Sequence, residues 1–477
     1  MASKISASRL PTEVWNHVLQ YLGLQLLELD LSLSSELRSR RTALRELCLT
    51  SRWFLQLARP HLYGTTVLFA NRNTATAYID GAHSVLLLTR TLANNHELRP
   101  LIRNLALLIP LPPKPTTITS FTRTMFLWDD LPTLLPPLGP ADQAIFEAVG
   151  LPVPGDSMGN KREDTRDRGS LVPRLVAALL SMTYRVSGLL VQGLLTEPCQ
   201  DFDQKIRKLM HAHTFLPELK TIHFRTHPRA SSQAKASLPL LNHPGLRSIH
   251  IASNWNGSLT VSGRAAGGIA RIEEIHITAS TGLAPIRRLL RLATGVKSLS
   301  VTLLTPTGPV QRESDLNEML LSRADTLESF SLDTTLCSAE HAAGQLGPLD
   351  KVTCLPRLHQ LKHVSIEPHL LIDWLEVNTW PRFLNTLPPN ASSVTFRFVP
   401  EHGQDLLRIW ARSGLGSVLR SAERWQSRLP HVRHIHLAPL PFSKRTFDTI
   451  KEDLAKCGIT LTWQHLTGPD MATLTIH

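Results

Sequence analysis

One spacing recurs along most of this chain: an apolar residue, two others, an apolar residue, one other, and a third apolar residue. It stands at Ile102/Leu105/Leu107, Val186/Leu189/Val191, Leu219/Ile222/Phe224, Leu246/Ile249/Ile251, Ile272/Ile275/Ile277, Val296/Leu299/Val301, Leu327/Phe330/Leu332, Leu361/Val364/Ile366 and Val432/Ile435/Leu437, with a weaker copy at Ala391/Val394/Phe396. From Leu219 to Ala391 the copies begin 27, 26, 24, 31, 34 and 30 residues apart. With 42% apolar residues, three chosen positions coincide by chance at about 0.07 of sites, so the number of matches carries little. The context carries more. Leu216-Pro217-Glu218, His243-Pro244-Gly245, Leu355-Pro356-Arg357 and Leu429-Pro430-His431 each set a turn just before the phrase, and the central copies are nearly evenly spaced.

The last two apolar positions of each copy are two residues apart and share one face of a strand. Helical patterns lie between copies: Ile286, Leu289, Leu290 and Ala293; Leu316, Met319 and Leu320; and Phe447, Ile450 and Leu454. Units of one strand and one helix cannot bury their apolar faces singly, and stacking them gives an α/β solenoid with parallel strands on its inner face. The intervening strand residues then face solvent on the concave side. His250, Glu274, His276, Ser300 and Ser331 are the candidate ligand-binding residues, with His223, Ser248, Ser298, Ser329, His363 and Ser365 at equivalent positions.

The N-terminus follows another pattern. Pro11 suits the first turn of a helix, Glu13 complements its dipole, and Val14, Val18 and Leu22 form a stripe that Trp15 and Leu19 widen. Leu44 and Leu47 mark a second helix, and Ser51 caps a third that carries Phe54 and Leu57 and ends at Pro60. Blocks 10–22 and 43–63 are too short for a self-sufficient core, which below roughly 40 residues is rare, so something else must cover them.

Leu10-Pro11-Thr12-Glu13-Val14, Leu47-Cys48-Leu49-Thr50-Ser51-Arg52 and Ala58-Arg59-Pro60-His61-Leu62-Tyr63 resemble the F-box as it is common in fungal proteins, a module that ties substrate receptors to ubiquitin ligases. Residues 23–43 separate the blocks by more than a compact F-box needs and are similar to the extended loop of some fungal members. The resemblance implies an F-box over 1–65 that docks on a Skp-type adaptor, and through it a cullin, by Leu10, Pro11, Val14, Trp15, Val18, Leu22, Leu44, Leu47 and Cys48. Residues 66–477 resemble the degenerate leucine-rich-repeat domains that follow many F-boxes, although the Asn or Cys of regular repeats is absent after the strands. Such a domain holds a protein substrate for ubiquitin transfer by other subunits.

The rest of the sequence limits the alternatives. Prolines crowd 110–140, and 154–170 has one apolar residue among charges of both signs, so 110–170 reads as a Pro-rich, mobile insertion. The 51 lysines and arginines against 39 acids give +12, but they are scattered without the interleaved aromatic residues that single-stranded nucleic acid needs, which disfavours nucleic acid. Five dispersed cysteines point to a reducing compartment, and no secretory signal or membrane span is read, so the expected location is cytoplasmic, nuclear or both. His211-x-His213 and His434-x-His436 lack further ligands at metal spacing, and neither a phosphate-binding loop nor a nucleophile elbow occurs. No cofactor, metal or catalytic residue is expected. The rival is a scaffold, or a basic nucleic-acid-associated solenoid, acting without a ligase.

Overall fold

The computed structural model describes residues 11–23, 35–69, 77–109, 138–149, 151, 171–193, 209, 215–225, 238–253, 266–279, 284–303, 314–334, 351–371, 377–397, 419, 421–438 and 444–463. Leu10, most of the 23–43 insertion, the proline-rich stretch up to 137, the charged stretch 154–170, and the pair His211 and His213 lie outside these residues. The chain divides into two compact units, Met1–Arg229 with Ala234–Leu246, and Ala230–Gln233 with Arg247–His477. The expected boundary at residue 65 falls inside the first unit, where a helix runs directly into a strand.

The first unit begins with α1 (Thr12–Leu22), α2 (Ser35–Thr50) and α3 (Arg52–Gly64). Pro11 is the residue before α1, its carbonyl accepting from the Val14 and Trp15 N–H groups, so the helix starts one residue later than expected. α2 begins well upstream of the apolar block that announced it and takes in residues expected in the insertion. Ser51 caps α3 as predicted, its hydroxyl oxygen accepting from the Phe54 N–H at 3.2 Å. Pro60 does not end α3. A proline forfeits one helical bond, here to Gln56, and both residues are exposed, so water can solvate the orphaned carbonyl.

Four strands follow in this unit, β1 (Thr65–Phe69), β2 (Asn104–Ile109), β3 (Gly188–Gly193) and β4 (Thr221–Arg225), each parallel to the next. Two helices, α4 (Ala77–Asn94) and Leu171–Met182, pack together beside them. The second of these helices is buried from Leu175 to Leu180. No helix among the described residues is long and apolar enough to cross a membrane.

The second unit holds β5 (Ser248–Ser253), β6 (Glu274–Ala279), β7 (Ser298–Leu303), β8 (Ser329–Asp333), β9 (His363–Ile366), β10 (Ser393–Arg397), β11 (His434–Ala438) and β12 (Thr460–Trp463), all parallel and paired in chain order. All ten copies of the phrase form strands, the weak one at Ala391 included. The first apolar residue closes the turn before its strand: the N–H groups of Ile272, Leu327, Leu361, Ala391 and Val432 each donate to a carbonyl three or four residues back. The two later residues point into the core, Ile275 with Ile277 and Leu299 with Val301, all buried.

Neighbouring turns interlock. Each carbonyl of Arg247, Glu273, Lys297, Glu328, Lys362 and Ser392 accepts N–H donors from two consecutive residues of the following turn, Arg247 from Glu273 and Glu274, for example. At Gly295 a Cβ would come within 2.9 Å of the Ala270 carbonyl oxygen, so this turn requires glycine. One strand and one helix per unit is too uniform a reading. Ala284–Leu292, Ser314–Leu321 and Lys444–Ala455 are helices as expected, but 3₁₀ turns at Leu355–Arg357, Pro368–Leu370 and Val377–Thr386 occupy the connections around β9. Pro356, Pro368 and Pro381 fall within them, where a long α-helix would lose hydrogen bonds.

Candidate protein-binding surfaces

Helices α1 to α3 share a small core of Leu19, Leu44 and Ala58, with Leu22, Leu47, Cys48, Leu57 and Leu62 packed around it. Trp15 and Phe54 meet edge to face with ring centroids 4.9 Å apart, and Trp53 stands 4.8 Å from Phe54. This packing decides which way α1 faces. Trp15, Leu19 and Leu22, at i, i+4 and i+7, point inward, while Val14, Val18 and Tyr21 form the outward stripe.

Val14 and Val18 are each 41% exposed and Tyr21 70%. The Arg40 guanidinium lies 4.9 Å from the centre of the Tyr21 ring. Around the α2–α3 junction Leu49, Trp53 and Leu55 are exposed as well. Six of the eight large exposed apolar side chains among the described residues therefore belong to these three helices.

The expected docking set needs correcting. Leu44 is buried in the three-helix core and cannot be offered to a partner, and Leu22, Leu47 and Cys48 are half-buried against that core. Trp15 is half-buried in the aromatic cluster. Pro11, Val14 and Val18 are exposed, and so are Tyr21, Leu49, Trp53 and Leu55, which the expected set did not include. An apolar stripe read from spacing shows that two faces of α1 are apolar but not which one meets α3. Burial pushes the Cys48 thiol up, with Arg59 opposing.

The second surface is the face of β5–β12 turned away from the core. Parallel register aligns it into rows. Ser248, Glu274, Ser298, Ser329, His363, Ser393, His434 and Thr460 form one, and His250, His276, Ser300, Ser331, Ser365, Thr395, His436 and Thr462 the next. His250, Glu274, His276, Ser300 and Ser331 are thus brought together as expected. His250 and His276 stack with centroids 4.2 Å apart and planes 6° from parallel, and the Ser248 hydroxyl lies 3.3 Å from the His250 Nε2. Burial holds the His276 pKa below the ordinary range, with Glu274 opposing.

In the first unit the outward face of β1–β3 is apolar and buried at Val67, Ala106, Leu108 and Leu190, and His223 lies beside Leu190.

At the far ends of β8–β10 a polar cluster ties three strands together. Arg397 donates from Nε to the Ser365 hydroxyl at 2.9 Å and from Nη1 to the Asp333 carboxylate. Glu367, fully buried just after β9, accepts at Oε1 from both the N–H and the hydroxyl of Thr334, each at 2.6 Å. Its pKa is pushed up to about 7, first by burial, while the Thr334 bonds and Arg397 pull it down and Asp333 adds to the rise. No sequence signal pointed to this cluster, because its members are a charge or a hydroxyl apiece on different strands.

Among the described residues no three His, Cys, Asp or Glu side chains stand where they could share a metal ion. The polar face offers hydroxyls, imidazoles, the Arg397 guanidinium and the carboxylates of Glu274 and Asp333. Compared with known proteins, the chain matches no family model and no curated protein sequence.

Proposed function

We propose that this chain is the substrate-recognition subunit of a Skp-cullin-F-box ubiquitin ligase, with α1–α3 as its F-box and the β5–β12 unit as a degenerate leucine-rich-repeat-like domain. The outward apolar stripe of Val14, Val18 and Tyr21, together with exposed Leu49, Trp53 and Leu55, carries this reading. A small helical layer that has built its own core yet leaves these side chains in water is organised for a second protein. A Skp-type adaptor covers them and brings the cullin. The polar face of β5–β12 holds the protein substrate, and the mechanism is proximity: the receptor raises the local concentration of substrate near a catalytic subunit. No chemistry is assigned to the chain itself. Such a receptor works in the cytoplasm or nucleus.

The test is co-purification of a Skp-type adaptor with the full chain and with the variant Val14→Asp/Val18→Asp. Full burial of a valine-sized side chain is worth about 1.5–3 kcal/mol, so two charges placed in the contact should weaken adaptor capture at least about a hundredfold. Both positions are exposed, so the melting temperature should change little. Capture undiminished by this variant would sink the receptor reading.

A further inference from the structure

The polar face of the second unit is electrically uneven. On β5–β8 its outward positions include the carboxylates of Glu274 and Asp333. On β9–β12 they are His363, Ser365, Ser393, Thr395, Arg397, Ala438, His434, His436, Thr460 and Thr462, with no carboxylate among them. His363 and His434 are exposed and lie two strands apart in the same row. His436 is half-buried, and its Nδ1 lies 2.9 Å from the Thr462 hydroxyl.

Among the described residues the charged groups around these imidazoles are few. Glu328 and Lys362 pair at 2.7 Å at the leading ends of β8 and β9, near His363. Arg433 precedes His434 and bonds the Pro430 carbonyl. Arg397 faces His436, and its own partner is Asp333. Glu367 lies beyond β9, fully buried.

We infer that the β9–β12 end of this face takes an acidic peptide segment, rich in Asp and Glu, of the protein that the receptor captures. The inference rests on the reading of this face as the substrate site and adds the chemistry of the substrate. Imidazolium, guanidinium and hydroxyl groups all donate to carboxylates. Four strands at about 4.8 Å spacing span roughly 14 Å, the length of about four extended residues. A nucleic-acid strand suits the surface less well, since the face has one guanidinium and its outward positions carry none of the Phe, Tyr or Trp rings on which bases stack. Acidic groups drawn against the histidines also favour their protonated forms, so binding is coupled to proton uptake. Burial and Arg397 hold His436 below its ordinary range in the free protein.

The test uses the full chain and three fluorescent probes: a Glu/Asp-rich peptide, its Gln/Asn counterpart, and a single-stranded oligonucleotide of equal charge. The acidic peptide should bind, and about tenfold more tightly at about pH 6 than at about pH 7.5, across the imidazole range. His363→Gln/His434→Gln, two changes at exposed positions, should weaken acidic-peptide binding about tenfold. Equal binding of the Gln/Asn peptide, tighter binding of the oligonucleotide, or no effect of the double variant would overturn the inference. Adaptor capture is measured on the same samples: if it persists while the acidic peptide fails to bind, only this inference falls, and if the unmodified chain captures no adaptor, the receptor reading falls first.

Discussion

Replacing Asp142 by alanine is expected to destabilise the first unit by about 3–5 kcal/mol, the cost of leaving one partner of a buried ion pair without the other. Asp142 sits in the first turn of helix Pro140–Val149, and both its oxygens are engaged by Arg99, Nη1 to Oδ1 at 2.9 Å and Nη2 to Oδ2 at 2.6 Å. The Asp142 side chain is 1% exposed and that of Arg99 10%, and the Arg99 Nε donates to the Leu92 carbonyl at the end of α4. The pair therefore ties the 140–149 helix to the 3₁₀ turn His96–Leu101 and to α4. Without Asp142 the guanidinium keeps its desolvation and loses its charge partner. Replacing both residues by apolar ones of similar size, Arg99→Met with Asp142→Leu, should recover a large part of the loss, because the pair's desolvation cost goes with it. Urea unfolding, followed by hydrogen exchange in β2 and β3, measures the effect. A single variant within about 0.5 kcal/mol of the unmodified protein, the range of a neutral surface change, would contradict it.

The second large effect depends on pH. Glu367 has its pKa pushed up from 4.5 to about 7 by burial, so the folded state holds the proton more tightly than the unfolded chain does. Stability from this group is fully present below about pH 4.5 and is lost as the pH rises through about 7, where the native protein must carry a buried carboxylate near Asp333. A rise of this size corresponds to roughly 3 kcal/mol. Glutamine keeps an acceptor for the Thr334 donors and cannot ionise. Glu367→Gln should thus stabilise the second unit by up to about 3 kcal/mol at pH values above 7, with the gain shrinking toward zero below about pH 5. Thermal melts of both proteins across that range test this, and an offset that does not change with pH would contradict it.

How far the fold could be read from the sequence differs between its parts for physical reasons. The strands were legible because two-residue alternation and a closing turn are local: Ile272, Ile275 and Ile277 stand five residues apart at most and encode both the turn and the buried face. β12 was missed because the first apolar position of its phrase is Gly458, which adopts a φ of +71° that favours glycine. The polar row of the second unit followed from the same alternation. The burial of the second face of β1–β3 did not, since whether that face is covered depends on what packs there and not on the strand. At α1, spacing gave two apolar faces, and only the meeting of Trp15 with Phe54 and Trp53 fixes Val14 and Val18 outward. The Arg99–Asp142 pair and the Glu367 cluster join residues 43 and 33 positions apart, and no local pattern encodes such long-range polar contacts.

The central claim is that α1–α3 form an adaptor-binding module attached to a substrate-binding unit. Hydrogen exchange of the purified chain, with and without a purified Skp-type adaptor, tests it most directly. The account predicts a stable complex, with slowed exchange in α1 and around the α2–α3 junction at Leu49 to Leu55, and unchanged exchange in β5–β12. No complex, or protection falling on the strands while α1–α3 exchange as before, would contradict it.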